Sequence, residues 1–100
     1  MRYRIVFMPS ADRDMDDIEE YLSQFYSSTV LNFFLTLEKK VSTLENMPYS
    51  HPAYEYDPYF RWMVADDYLL FYSVDEKRKL VIIHRIFHGK RDIRQQMLDR

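Results

Sequence analysis

The chain has 100 residues, 47% of them hydrophobic and 17% aromatic, which is enough apolar material to fill the core of one domain. Because it contains no cysteine, disulfide frameworks, thiol nucleophiles and thiolate metal sites are excluded. No apolar run is long enough to cross a bilayer and no secretory signal opens the sequence, so we expect a cytoplasmic protein. We therefore predict a single domain over residues 1–100.

The net charge of −2 conceals two regions of opposite sign. Residues 12–20 include six acids and one arginine, whereas residues 77–94 include seven bases and one acid. A basic end of this kind can meet phosphates or an acidic partner. For the acidic stretch, a solvated helix surface is the simpler interpretation.

The first part of the sequence predicts a strand and a helix. Polar and apolar residues alternate over Arg2–Phe7, which is typical of a half-buried strand. Pro9 ends this strand, and Ser10 is placed to cap the helix that follows. Apolar residues then recur at spacings of three and four to about Tyr26, which leaves the acids on the outer face. These apolar residues are Ala11, Met15, Ile18, Leu22 and Phe25.

A second amphipathic helix is predicted after a short turn at Ser27–Ser28, and it continues until Pro48. Phe33 and Leu35 widen its apolar face. So short a link predicts two antiparallel helices with a shared apolar seam. The stripe of the second helix consists of Val30, Phe34, Leu37, Val41 and Leu44.

The second half of the sequence predicts a loop and three strands. Residues 48–59 contain three prolines and four tyrosines with no helical or strand period, which indicates an ordered loop. Its tyrosines could stack on bases, but attachment of the loop to the core by their rings is the preferred interpretation. Strands are predicted over Phe60–Ala65, Tyr68–Val74 and Leu80–Phe87, and one or two helical turns over Arg91–Leu98.

These elements predict an α+β domain. An N-terminal strand is followed by an antiparallel α-hairpin and by a three-stranded antiparallel meander that forms one sheet with the first strand, with a short C-terminal helix at the end. The last strands are apolar on both faces. We therefore expect the helices to cover one face, and the tail helix or a bound partner to cover part of the other.

The sequence gives no indication of a metal or a cofactor. His84 and His88 are spaced like a helical metal pair, but four residues of a strand span about 13 Å, too far for two ligands of one ion. A chain with one glycine cannot form a Gly-rich phosphate loop. His84 is better explained as a core-facing histidine satisfied by hydrogen bonds.

The basic end of the last strand is the strongest candidate site. Arg85, Lys90 and Arg91 could clamp phosphates together with Arg61. His88 is placed to act as a general acid or base in the cleavage of RNA through its own 2′-hydroxyl. A solvated strand end without function explains the same residues about equally well.

Two stretches, YRIVFMPSADRDMDDI and FRWMVADDYLLFYSVDEKRKLVIIHRIFHGKRD, resemble the RelE/ParE toxins of bacterial type II toxin–antitoxin systems. An arginine, a Tyr-x-x-x-Tyr strand, a charged turn, an apolar strand and a terminal His-Gly-Lys-Arg-Asp arrive in the order of that family. The resemblance covers nearly the whole chain. It implies an α-hairpin packed on an antiparallel sheet, and an antitoxin encoded alongside whose extended or helical segment wraps and neutralises the toxin.

The family contains two activities. RelE-like members cut messenger RNA in the ribosomal A site with basic residues and, in some members, a C-terminal tyrosine or histidine, whereas ParE-like members block DNA gyrase without known catalytic residues. Arg91 matches the basic position after the last strand, but Met97 stands about where the tail tyrosine occurs and Val64 about where a sheet arginine is expected. The resemblance therefore favours ParE-like inhibition of gyrase.

The two activities imply different site residues. Gyrase inhibition implies target binding by Arg85, Lys90, Arg91 and Arg94. Ribosome-dependent cleavage of mRNA implies catalysis by His88, Arg91 and Arg61. A protein-interaction module without toxicity is the third alternative. We expect a hetero-oligomer with an antitoxin, a target that is either DNA gyrase or the ribosome with its mRNA, and no membrane partner.

Overall fold

A computed structural model describes residues 2–89 and residue 97. Within these residues the chain forms two α-helices and four strands: β1 Arg4–Phe7, α1 Pro9–Leu22, α2 Ser27–Ser42, β2 Arg61–Ala65, β3 Tyr68–Asp75 and β4 Leu80–His88. The strands make one sheet in the order β1-β4-β3-β2. The predicted α+β class is confirmed. The C-terminal helix predicted over Arg91–Leu98 lies outside the described residues, apart from Met97.

The sheet is mixed. β2, β3 and β4 form the antiparallel meander that the sequence predicts, whereas β1 pairs with β4 in parallel, from Arg4 opposite Leu80 to Phe7 opposite Ile83. The expectation of an antiparallel sheet is therefore wrong for β1. Because this pairing is parallel, α1, which begins directly after β1, lies beside the part of β4 that continues past Ile83.

The start of α1 completes the edge of β4. The backbone N–H of Met8 donates to the carbonyl of Ile83 at 2.9 Å, and the hydroxyl of Ser10 donates to the carbonyl of His84 at 2.7 Å. The sequence predicted Ser10 as the N-cap of α1, and this prediction is wrong. Met8 occupies that position, and Pro9 stands in the first turn, where its missing N–H costs nothing. The helix thus satisfies strand groups that would otherwise lie open at a sheet edge.

Both helices end earlier than their apolar patterns predict. α1 ends at Leu22, which leaves Phe25 56% exposed, and Ser27 and Ser28 belong to the first turn of α2 instead of the link. α2 ends at Ser42 and passes into a 3₁₀ turn at Thr43–Glu45.

The main core lies between the helices and one face of the sheet. Its buried residues come from both helices, from the 3₁₀ turn after α2 and from the three longest strands. Phe33 is buried on α2, whereas Leu35 is 54% exposed, so only the first of the two residues expected to widen the apolar face does so. The fully buried members include Ala11, Leu44, Leu70, Tyr72, Val81 and Ile83.

A second, smaller core lies on the opposite face of the sheet. It consists of Phe60, Phe71, Phe87 and Met97, with Tyr54, Trp62 and Leu69 packed against it. The prediction that both faces of the last strands are apolar is thus confirmed. The ring of Tyr54 packs edge-on against Phe71 at 5.1 Å between centroids, which attaches the tyrosine-rich loop to this core.

A β-bulge interrupts β4 at His84. Phe71 of β3 pairs with Arg85, but the next residue, Tyr72, pairs with Ile83, so His84 is the extra residue. One nitrogen of its ring, Nε2, lies 2.7 Å from the hydroxyl of Ser73. The prediction of a histidine satisfied by hydrogen bonds is confirmed.

Candidate functional site

An ion pair joins Asp14 of α1 to Arg85 of β4 beside the candidate site. Oδ2 of Asp14 accepts from Nε of Arg85 at 2.7 Å, and Oδ1 accepts from a terminal guanidinium nitrogen at 3.0 Å. Oδ2 also accepts the backbone N–H of Ile86 at 2.9 Å. The side chains are 11% and 14% exposed, respectively, so this is a bidentate pair largely shielded from water.

Asp14 thus departs from the expectation that the acids of α1 all lie on the solvated face. Its carboxylate faces β4, where it accepts hydrogen bonds from the side chain of Arg85 and from the backbone of Ile86. The guanidinium of Arg85 also lies over the ring of Phe87, with its central carbon 4.5 Å from the ring centroid. Arg85, which we expected to bind a target, therefore has contacts within the protein on both sides.

A pocket of about 310 Å³ opens between α1 and the ends of β3 and β4. We call it the strand-end pocket. Tyr68 is nearly buried in its wall, and the ring of His88 packs edge-on against Tyr68 at 5.6 Å between centroids. Burial raises the pKa of Tyr68 above its usual value. The pocket is lined by Asp14, Asp17, Ile18, Tyr21, Tyr68, Ile86 and His88.

The lone glycine lies directly beyond this pocket. The backbone N–H of Gly89 donates to the carbonyl of Asp67 at 2.8 Å and so joins the end of β4 to the turn between β2 and β3. A Cβ atom at position 89 would lie 3.2 Å from the same carbonyl oxygen, which is tighter than an ordinary contact. Close backbone approach explains the glycine at this strand end.

The structure does not bring Arg61 and His88 together. Arg61 pairs with Tyr72 of β3, whereas His88 pairs with Tyr68, four residues or roughly 13 Å away along the same strand. The two residues also lie on opposite sides of β3, on β2 and β4.

Arg61 contacts the tyrosine-rich loop. Its guanidinium donates to the carbonyl of His51 at 2.6 Å and lies over the ring of Tyr49 at 5.0 Å. The remaining basic residues of the candidate site, Lys90, Arg91 and Arg94, lie outside the described residues.

A hydrogen-bond cluster at the other end of the sheet centres on Glu76, in the turn between β3 and β4. Its carboxylate accepts hydrogen bonds from the hydroxyls of Tyr3 and Tyr49 and from the ammonium of Lys79. These hydrogen bonds lower the pKa of Glu76 to about 2, and the bond from Lys79 has the largest effect. The bond to Glu76 raises the pKa of Tyr49 to about 12. The cluster ties the N-terminal strand and the loop to the hairpin turn.

The described residues contain no group of three or more histidines and acids placed to hold a metal ion. Over the same residues, neither helix has the length and apolarity needed to cross a membrane.

The strand-end pocket includes residues that the sequence reasoning missed, namely Asp14, Asp17, Tyr21 and Tyr68. Asp14 had a detectable signal, because it stands three residues after Ala11 and four before Ile18, on the apolar stripe. An acid within such a stripe indicates a buried partner. The assembly of the other three depends on how α1 packs on the sheet, which the local pattern does not contain.

The fold resembles that of chains from solved toxin–antitoxin systems. A chain of the chromosomal ParDE system from P. aeruginosa superimposes with a TM-score of 0.74 at 16% identity, covering 89% of this chain and 98% of that chain. A mutant of the E. coli toxin RelE in the free state gives a TM-score of 0.67 at 15% identity, covering 96% of this chain and 93% of that one. The RelBE2 complex from Mycobacterium tuberculosis gives 0.63 at 19% identity, covering 88% and 99%.

Identities this low show the fold alone, and the architecture is that of the RelE/ParE-like toxins. No curated protein matches the chain. A sequence model of the ParE toxin of the type II toxin–antitoxin system parDE matches residues 5–93. The chain therefore belongs to the ParE toxin family.

Proposed function

We propose that this toxin arrests bacterial growth in the cytoplasm by inhibiting DNA gyrase. The observation that carries the proposal is the ParE family match, which extends over residues 5–93 and so includes the basic residues Lys90 and Arg91 after β4. Contact of these two residues and Arg94 with the target is part of the proposal. Cationic side chains at such a surface add specificity and speed of association through complementary charge.

The surroundings of His88 support gyrase inhibition over RNA cleavage. A phosphate that approached His88 through the strand-end pocket would meet the carboxylate of Asp17 on the same wall. Arg61, which the nuclease reading pairs with His88, lies on the far side of β3. A general acid or base and its phosphate clamp have to lie within reach of one substrate.

RNA cleavage stays as a second candidate because of the likeness to the free E. coli RelE toxin over 96% of this chain. In that case Arg91 holds the scissile phosphate and His88 moves the proton. Arg85, already paired with Asp14, serves to position the strand end in either case.

A cognate antitoxin is the proposed partner, in a hetero-oligomer. The solved RelBE2 chain comes from a toxin–antitoxin complex. In the present chain, several large apolar side chains on the α-hairpin are more than half exposed, and a partner that covered them would remove this surface from water. They are Tyr21, Phe25, Tyr26, Leu31 and Leu35.

Expression in a bacterial host, followed by two assays on purified protein, tests the proposal. We expect growth arrest that a co-expressed neighbouring reading frame relieves, and loss of supercoiling by purified gyrase with ribosome-bound message left intact. Lys90→Glu and Arg91→Glu should weaken inhibition, whereas His88→Ala should retain most of it because no proton transfer is needed.

Lys77→Glu is the matched control, since it makes the same charge reversal on an exposed residue in the turn at the other end of β4. Cleaved message with unaffected supercoiling would establish the nuclease instead, and His88→Ala should then lower cleavage by about 10²–10⁴-fold. Normal growth with abundant soluble protein would support a non-toxic interaction module.

A further inference from the structure

We propose that the strand-end pocket receives an arginine side chain of the antitoxin. The antitoxin would then lie over the end of β4 and cover the basic segment that follows it. This inference rests on the proposed function, because it names the contact by which the partner silences the target-binding surface.

The walls of the pocket fit a long side chain with an apolar stem. Ile18 and Ile86 supply aliphatic surface, and the rings of Tyr21 and Tyr68 supply aromatic surface, around a volume of about 310 Å³. Arginine places its three methylene groups against surfaces of this kind while its guanidinium stays at a polar rim. Aromatic rings add a favourable contact for a cation.

The charge at the rim selects a cation. Within the described part of the chain, Asp17 makes no ion pair, and its carboxylate lines the pocket. Exposed acids dominate the same helix, with Asp12, Asp16, Glu19 and Glu20 against Arg13 alone. A phosphate or carboxylate would be repelled from this wall, whereas a guanidinium would be attracted.

One carboxylate that lines the pocket shows that α1 already binds a guanidinium. Asp14, one turn before Asp17, holds Arg85 through two oxygens at 2.7 and 3.0 Å. Asp17 offers the same carboxylate chemistry one turn further along the same helix, and its side chain is exposed to solvent. A second guanidinium at Asp17 therefore continues an arrangement present in the protein itself.

The position of the pocket identifies the antitoxin as the source of the arginine. His88 lines the pocket, and Gly89 and Lys90 follow it directly in the sequence. A chain that inserts a side chain here therefore lies beside the residues proposed to contact gyrase. An inhibitor of the toxin has to cover that surface. The target, in contrast, needs to contact only the basic segment and not the pocket.

Titration of the purified toxin with N-acetylarginine methylamide, followed by NMR, tests the site directly. We expect saturable shifts of the side-chain signals of Tyr21, Tyr68 and His88, and none with the uncharged citrulline analogue. Asp17→Asn should weaken the apparent affinity by roughly three- to fivefold, as expected for one exposed ion pair. Asp16→Asn is the matched control, since it removes the same charge from the exposed face of α1.

The absence of saturable shifts would overturn the proposal, and so would equal shifts with the citrulline analogue or equal losses in the two variants. This titration needs neither toxicity nor gyrase, so its failure is distinguishable from failure of the proposed function. To identify the source, the neighbouring reading frame is co-expressed with each of two variants, Asp17→Lys and Asp16→Lys. More antitoxin should be needed to restore growth with the first variant, and equal requirements would exclude the antitoxin as the source of the arginine.

Discussion

Asp14 fixes α1 to the sheet through a single carboxylate. It joins the side chain of Arg85 and the backbone of Ile86 to the helix, and both groups precede the strand end where the candidate site lies. A buried ion pair is stabilising mainly in the sense that loss of one partner leaves the other charge uncompensated. Its removal should therefore be costly.

Asp14→Asn should lower the free energy of unfolding by roughly 3–5 kcal/mol, because the guanidinium of Arg85 would stay buried without a counter-charge. Urea denaturation of the variant measures this loss. Asp16→Asn, an exposed neighbour on the same helix, should change stability by less than about 0.5 kcal/mol. Equal unfolding midpoints for the two variants would show that the ion pair contributes no stability.

Glu76 should make stability depend on pH at the acidic end. Its pKa is lowered from 4.5 to about 2 in the folded protein, chiefly by the hydrogen bond from Lys79. A lowered pKa means that the stabilising contribution is complete above the unfolded value and is lost as pH falls from 4.5 towards 2. In Glu76→Gln the unfolding midpoint should therefore fall less steeply over this interval. A slope identical to that of the wild type would contradict the assignment.

The sequence was least informative about contacts between single side chains. It predicted His84 as a satisfied histidine, because a lone histidine within an apolar strand needs a partner, and Ser73 supplies one. It placed Asp14 outside, because the stripe was read from apolar residues alone. The pairing of Arg61 with the loop carbonyl of His51 could not be predicted, since no local pattern specifies a contact between a strand and an irregular loop.

Helix α2 buries three large apolar side chains in the main core. Phe33, Leu37 and Val41 of this helix are less than a tenth exposed. Phe33 also packs edge-on against Tyr68 of the strand-end pocket at 4.9 Å between centroids. The helix thus supports the wall of the candidate site from behind.

Leu37→Ala should lower the free energy of unfolding by roughly 2–5 kcal/mol, since it leaves a cavity in the main core. Leu35→Ala makes the same truncation two residues away, where the side chain is 54% exposed, and should change stability by less than about 0.5 kcal/mol. Chemical denaturation of both variants gives the comparison. A larger loss at Leu35 would mean that the helix has another rotation about its axis.

Elements with strong patterns were predictable. β3 was expected over Tyr68–Val74 and is Tyr68–Asp75, and β4 was expected over Leu80–Phe87 and is Leu80–His88. Apolar β-branched runs separated by a charged turn contain enough local information for this. The end of α1 was less predictable, because Phe25 continues the apolar spacing although the chain has already turned after Leu22.

The strand-end pocket and the Glu76 cluster lie at opposite ends of one sheet. The first joins α1 to the end of β4, and the second joins Tyr3, just before β1, and the tyrosine-rich loop to the turn before β4. The sequence predicted the helices and strands that these contacts connect. It could not predict the contacts themselves, because strand order and direction depend on pairings between distant segments.

The pairing of β1 with β4 determines when the sheet of this protein can close during its synthesis. Residues 4–7 leave the ribosome early, but their partners, residues 80–83, are among the last to be made. The helical hairpin can form from neighbouring residues in the meantime, whereas closing the sheet requires contacts of high sequence separation. A translation product interrupted before residue 80 lacks β4 and the strand end that follows it. We therefore expect the nascent chain to lack the candidate site until β4 has emerged.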